Sequence, residues 1–363
     1  MKKTEQHYSL KNILAKGAHY NVIFGERSNG KTFAVLQYGL EQYVQHGHQM
    51  AYIRRWQEDF TGKRGSQLFA GLETVGIIRK LTKGQWTGVR YYASRWYLCR
   101  TGEDGKIQSD ETPFCFGFSL SAMEHDKSSQ YPGITTVFFD EFLTRSQYLT
   151  DEFVLFCNVL STIIRKRDDV RIFMAGNTVT KYCPYFTEMG LSHVKNMRPG
   201  TIDMYSYGDS GLTVAVEYAA PTSGGKGSDV YFAFDNPKLN MIKTGAWELA
   251  IYPHCPCKYY PPDIVLSYFI YFGGDLLQAD VVVQDDISFT FIHRKTTPIK
   301  HPDEDLVFCP DYDPRPNWIR KINAPVSPAT RTIARYYQQD RVFYQDNEVG
   351  EVVLNYLKWC VKN

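Results

Sequence analysis

Gly25-Glu26-Arg27-Ser28-Asn29-Gly30-Lys31-Thr32 reads as a glycine, four residues, then Gly-Lys-Thr. Those residue types at that spacing suit phosphate. Gly25 and Gly30 let the backbone curl so that its N–H groups, from Glu26 through Gly30, converge on phosphate oxygens. Lys31 would then reach the β and γ phosphates, and the Thr32 hydroxyl would face Mg²⁺. A second pair, Asp140-Glu141, closes the apolar run "TTVFFDEF". Its first acid suits a magnesium ion and its second suits a general base acting on water, which a hydrolysing motor ATPase needs and a kinase does not. Asn177 ends another apolar run, "FMAGN", where an amide senses a γ-phosphate or merely caps a turn. ATP with Mg²⁺ is the expected ligand.

Cations form a second group of candidates. Arg165, Lys166 and Arg167 close a helical stretch, where they complement the dipole or, alternatively, offer an arginine finger to another subunit. Residues 61–102 carry eight Lys and Arg but one acid, Glu73, interleaved with Trp86, Tyr91, Tyr92, Trp96 and Tyr97. Lys80, Lys83 and Arg90 within it are candidate contacts to DNA phosphates, since basic charge with aromatic surface is a nucleic-acid footprint. A half-buried hairpin with a basic outer face would spell the same pattern. The asymmetry extends further: residues 1–200 hold 26 Lys and Arg against 19 Asp and Glu, and the remainder 15 against 20.

Composition narrows the classes. At 363 residues, one large and one smaller domain are expected, and 43% hydrophobic content is ample for their cores. No run approaches the ~18 apolar residues of a membrane span, and the N-terminus reads as lacking a signal-peptide core. Eight scattered cysteines suit free thiols in a reducing compartment. His254-Cys255-Pro256-Cys257 has no second Cys/His pair at zinc spacing, so it reads as a tight loop without zinc.

The elements that must position these groups follow from periodicity. Apolar Tyr20–Phe24 reads as a buried strand, and "KTFAVLQYGLEQYVQH" as a helix opened by the glycine loop, whose N-terminus favours an anion. "QMAYIRRW" is a second buried strand, and "GSQLFAGLETVGIIRKL" reads as one helix. A hairpin is expected around Gly102-Glu103-Asp104-Gly105, then the strand before Asp140, the helix "DEFVLFCNVLSTIIRKR" and the strand "VRIFMAGN". Alternating strands and helices predict a mostly parallel sheet covered on both faces. "APTSGGKGSD", residues 220–229, is linker-like, and strands dominate from about residue 245 until one terminal helix, "EVVLNYLKWCVK". The expected division is an ATPase domain at 1–200, a linker region at 201–245 and a C-terminal domain at 246–363.

"VIFGERSNGKT", "AYIRRW", "SLSAMEHDKSSQYPGITTVFFDEFL", "STIIRKRDDVR" and "NTVTKYCPYF", in that order, resemble the DNA-packaging ATPases, or encapsidation proteins, of phi-29-like small tailed bacteriophages. The resemblance runs from about Tyr20 to Phe186. It implies a P-loop NTPase of the additional-strand, catalytic-glutamate type, terminase-like, joined to a C-terminal RNase H-like domain that has lost its nuclease centre. By position it makes Lys31 and Thr32 the Walker A pair and Asp140 and Glu141 the Walker B pair. Arg165 becomes a finger acting in trans rather than a complement to the helix dipole, and Lys127 a second trans-acting basic residue. It also implies a homo-oligomeric ring, a pentamer, pumping double-stranded DNA through the prohead portal, with a packaging RNA as scaffold. Such a motor works in the host cytoplasm, docked transiently at the portal vertex and absent from the mature virion.

The C-terminal half matches more loosely. Asp275, Asp280, Asp285, Asp286 and Asp311 are candidates for a two-metal cluster if a nuclease survives. Two rivals follow: a large terminase with an active nuclease, and a nucleotide-gated scaffold that does not hydrolyse. Glu141 argues against the second.

Overall fold

In the computed structural model, residues 8–125, 130–145, 148–221, 246–247, 250–284 and 287–362 are described. The chain divides into two compact units, Met1–Glu248 and Leu249–Asn363.

The first unit is built on β1 (Tyr20–Gly25), β2 (Gln49–Arg54), β3 (Gly88–Tyr92), β4 (Arg95–Thr101), β5 (Ile107–Ser109), β6 (Cys115–Ser119), β7 (Ile134–Asp140), β8 (Arg171–Asn177), β9 (Thr201–Tyr207) and β10 (Leu212–Tyr218). Their order is β3-β4-β6-β2-β7-β8-β1-β10-β9, with β5 on β4. From β6 to β10 every pairing is parallel, and antiparallel hairpins finish both sides. The parallel strands read as continuous apolar runs because both faces are covered. Successive residues go to opposite cores: Phe139 packs with Phe156, Val159 and Ile163 of the helix Glu152–Ile164, and Phe138 with Leu36 and Leu40 of the helix Lys31–His46.

Two expectations need correction, and one hairpin comes in addition to those expected. The first domain, expected to end at 200, runs on past it. β10 pairs in parallel with β1 from Tyr20↔Val214 onward, and β9 pairs with β10, so residues 201–218 belong to the first sheet rather than to a linker. Of the linker-like run 220–229, residues 222–229 lie outside the described residues. The single helix expected over 65–81 is three short ones, Gly62–Ser66, Ala70–Thr74 and Ile77–Leu81. Gly76, at φ 72°, breaks the run. Finally, the hairpin expected around Gly102 is joined by another between β3 and β4. Ala93 and Ser94 turn it with φ of 48° and 56°, in the left-handed region that glycine or asparagine normally signals.

The second unit carries β11 (Ile264–Phe272), β12 (Asp275–Gln284), β13 (Ile287–Arg294), β14 (Val307–Phe308), β15 (Trp318–Ile319) and β16 (Val342–Tyr344), in the order β15-β14-β11-β12-β13-β16. β11, β12 and β13 form an antiparallel meander, and β14 then runs parallel to β11. The terminal helix Asn347–Lys362 is as expected, with Val349, Val352, Val353 and Tyr356 fully buried. A helix over Pro328–Gln338 was not expected. Its signal is local: Ser327 caps it, accepting the Thr330 N–H, and Pro328 occupies the first turn.

Candidate active site

β1 ends in Gly25, and the loop to Gly30 turns through Ser28 at φ 59° and Gly30 at φ 94°. Gly25 lies against Ala219, where a Cβ would come within 3.2 Å of backbone and side chain. The helix begins at Lys31, whose buried Nζ donates to the Glu26 carbonyl (2.6 Å), Asn29 Oδ1 (3.1 Å) and Asn177 Oδ1 (3.4 Å). Burial pulls the Lys31 ammonium down to about 8, against the upward pull of Asp140 and Glu26. Asn29 Nδ2, also buried, has no hydrogen-bond partner among the described residues.

β8 brings Asn177 beside Gly25, and β7, next along, delivers Asp140. Thr32 Oγ1 donates to Asp140 Oδ1 (3.0 Å) and the Tyr52 hydroxyl to Oδ2 (3.1 Å). Burial raises the Asp140 pKa, opposed by Arg54 and by these two bonds. The Thr32 hydroxyl and the Asp140 carboxylate are hard oxygen ligands side by side, a donor set that fits Mg²⁺. Arg27, Ser28, Asn29, Gly30, Lys31, Thr32, Asp140, Glu141 and Asn177 line one cavity, with Phe33, Leu36, Leu68 and Leu72 on its apolar side. The predicted phosphate, metal and base residues therefore converge.

Sequence reasoning left one participant without a role. Arg54, closing β2, pairs through Nη2 with Glu141 Oε2 at 2.7 Å, lies 3.8 Å from Asp140 Oδ2, and is steadied by Asp59 at 3.0 Å. Glu141 itself is 59% exposed and sits at φ 55°. "AYIRRW" shows two arginines at a strand end, but only the β2–β7 pairing reveals that the first of them meets the acids.

Other predicted residues lie apart. Arg165 caps the helix Glu152–Ile164 at φ 55°, is exposed, and is not among the residues lining the cavity. Arg167 turns inward, donating to the Ile134 carbonyl at 2.7 Å. Lys127 lies outside the described residues. Lys80, Lys83 and Arg90 are exposed, on and beside the edge strand β3. The aromatics among them divide. Trp96 is fully buried and donates to the Gly65 carbonyl, Tyr91 donates to that of Phe60, and Tyr92 is exposed.

In the second unit Asp280 is buried and accepts from Ser267 (2.7 Å), Gln278 (2.9 Å), Tyr259 (3.3 Å) and His293 (3.3 Å). Asp275 pairs with Arg294 at 3.2 Å, Asp311 is exposed, and Asp285 and Asp286 lie outside the described residues. Among the described residues no group of three or more His, Cys, Asp or Glu is placed to hold a metal ion.

Taken together, the mostly parallel sheet, the glycine loop feeding a helix and the acids at the end of β7 define an α/β fold whose strand ends gather one polar cavity. Residues 106–205 match the model of the Podovirus DNA encapsidation protein (Gp16) family. The DNA packaging protein of Bacillus phage phi29 is 27% identical over 200 residues, 54% of this chain and 54% of that protein. That of Bacillus phage B103 is 27% identical over 174 residues, 47% of this chain and 48% of that one. The chain thus spans about half the length of the curated relatives it matches. Among solved structures, a chain of the bacteriophage Phi-29 viral genome packaging motor assembly matches with a TM-score of 0.54 at 18% identity, covering 98% of both chains. A chain of the Phi-28 gp11 DNA packaging motor gives 0.52 at 19%, covering 98% of this chain and 97% of that one. The chain is similar in sequence to phi29-like DNA packaging proteins and shares the fold of their motors.

Proposed function

We propose that this protein is an ATP-driven motor that moves double-stranded viral DNA into a prohead. The observation that carries the reading is the meeting of Lys31, Thr32, Asp140, Glu141 and Asn177 around one cavity. Mg²⁺, held by Thr32 and Asp140, would supply neutralising charge to the phosphate oxygens of ATP. Backbone N–H groups of Glu26–Gly30 cradle the phosphates, and Lys31 donates to them in place of its carbonyl and amide partners. Asn177, already within reach of Lys31, contacts the γ-phosphate. Glu141 takes the proton of the attacking water, for which its carboxylate must turn from Arg54 towards the cavity.

The same reading assigns Arg165 and Lys127 to the neighbouring subunit's site in a pentameric ring. The ring docks at the prohead portal with a packaging RNA, in the host cytoplasm. The exposure of Arg165, away from its own chain's cavity, supports that assignment. Lys80, Lys83 and Arg90 grip DNA phosphates without reading bases. We read the second unit as RNase H-like, supported by its three-strand meander extended by parallel strands beside its first strand. The four donors on Asp280 support packing rather than metal chemistry there.

The test is ATP turnover with magnesium, with and without duplex DNA. Glu141→Gln should bind nucleotide normally yet lose turnover by roughly 10² or more, the range that loss of a general base produces. Near-normal turnover in that variant, or turnover indifferent to DNA, would remove the reading.

A further inference from the structure

Arg54 and Arg55 are neighbours in sequence at the end of β2 but meet different partners. Arg54 meets the acid side chains. Arg55 is buried, and its Nε and Nη2 fork onto Glu152 Oε2 and Oε1 at 2.8 and 2.9 Å. Glu152 is equally buried, and its remaining lone pairs take the Leu149 N–H (2.7 Å) and the Tyr185 hydroxyl (2.8 Å). What is left of the guanidinium goes to backbone: Nη1 donates to the Glu141 carbonyl at 3.3 Å and Nη2 to that of Phe142 at 2.8 Å. Tyr148 covers its face, 5.0 Å from the ring centre.

Two features make this more than packing. First, a buried ion pair is a weak source of stability, since desolvating both charges costs about what their attraction returns. What the fork supplies is fixed direction. Second, the carbonyls it holds belong to Glu141, at φ 55°, and the residue after it. A glutamate there is strained and persists only where its surroundings hold it. The Phe142 N–H is fixed as well, to the Ala175 carbonyl at 3.2 Å.

We propose that Arg55, braced by Glu152, is a positioning residue for hydrolysis. It fixes the turn after β7 so that Glu141 emerges at the cavity, while Arg54 engages the carboxylate itself. This rests on the reading of Glu141 as the base. A displacement of about 1 Å at a reacting group can cost up to roughly 10² in rate, so loss of the brace acts on kcat and leaves the phosphate loop alone.

The experiment uses the full chain and the double variant Arg55→Met/Glu152→Gln, which leaves no unpaired buried charge. Melting temperature, affinity for a fluorescent ATP analogue, and turnover with DNA present are measured beside Glu141→Gln. The expected result is melting close to the parent, nucleotide affinity within about twofold, and kcat lower by about tenfold or more. Parental kcat in the double variant, or a loss matched by equal losses in affinity and melting, overturns the proposal. Should the double variant not fold, Arg55→Lys decides, because it keeps the buried charge and loses the planar fork. It should show the same fall in kcat at constant affinity, and a parental kcat would again overturn the proposal. If Glu141→Gln turns over normally, it is the underlying reading that fails.

Discussion

Asp140 and Asp280 are both buried aspartates on inner strands of their sheets, 7% and 4% exposed, and each has a cationic group near it. Their surroundings push them in opposite directions. Around Asp140, burial outweighs the help of Arg54 and two hydroxyls and raises the pKa; nearby Lys31 is pulled down to about 8. Both groups are pushed towards neutrality. Around Asp280, burial pushes up, but bonds from His293, Gln278 and Ser267 win and bring the pKa below the ordinary value. His293 rises in turn, chiefly through its bond to Asp280. That pair is held in its charged state by its own neighbours. A group whose surroundings oppose its charge, beside an amide such as Asn29 Nδ2 that finds no partner among the described residues, is arranged to meet a charged ligand. A charge whose every lone pair is answered has finished its work in folding.

The difference can be sharpened by titration. Lys31 is protonated below about pH 8 and loses its proton above, so binding of ATP to the free protein must then recapture one. Nucleotide affinity should be level at neutral pH and weaken as pH rises through about 8, approaching tenfold per pH unit. Lys31→Arg, permanently charged, should bind more weakly overall but without that slope. Fluorescence titrations between pH 7 and 9.5 would show it, and a level parental profile would break the contrast at its first unit.

Stability provides the smaller effect. Asp140 has its folded pKa above the unfolded value of 3.8, so its charge at neutral pH costs stability. Asp140→Asn should therefore raise the melting temperature of the first unit, by about 2–4 °C for each ~1 kcal/mol relieved. Asp280→Asn should lower that of the second unit by a similar amount. The sign follows from its depressed pKa, which contributes stability above 3.8 that is lost as pH falls through the folded value. His293, raised, contributes stability below 6.5 that is lost as pH rises through its folded value. The Asp280–His293 pair should thus hold the second unit best between these limits. Calorimetry on both variants would reveal shifts of the same sign if the two acids were alike.

The parts of this arrangement visible in the sequence are the local ones. Gly25 to Thr32 announces its conformation through glycine spacing, and Asp140, Glu141 and Asn177 follow apolar runs that could only be buried strands. What escaped depends on strand order. Arg54 and Arg55 gain their roles because β2 lies beside β7, a pairing between residues far apart in the chain. β9 and β10 looked like linker because nothing near residue 212 says that it will lie against β1. Asp280 is a metal candidate only if a nuclease survives, and cross-strand register, unseen in the sequence, sets Ser267 opposite it. The Ala93-Ser94 turn escaped for another reason: its left-handed residues carry none of the usual turn chemistry.

The most direct test of the account is magnesium-dependent ATP turnover in Asp140→Asn and Asp280→Asn, each measured below its melting temperature. If the first unit's acids do the chemistry, Asp140→Asn should lose about 10² or more, since several kcal/mol of transition-state charge stabilisation depends on the metal. Asp280→Asn should keep its rate within about twofold, as an acid committed to packing should. Near-normal turnover in Asp140→Asn, or its loss in a folded Asp280→Asn, would contradict the account.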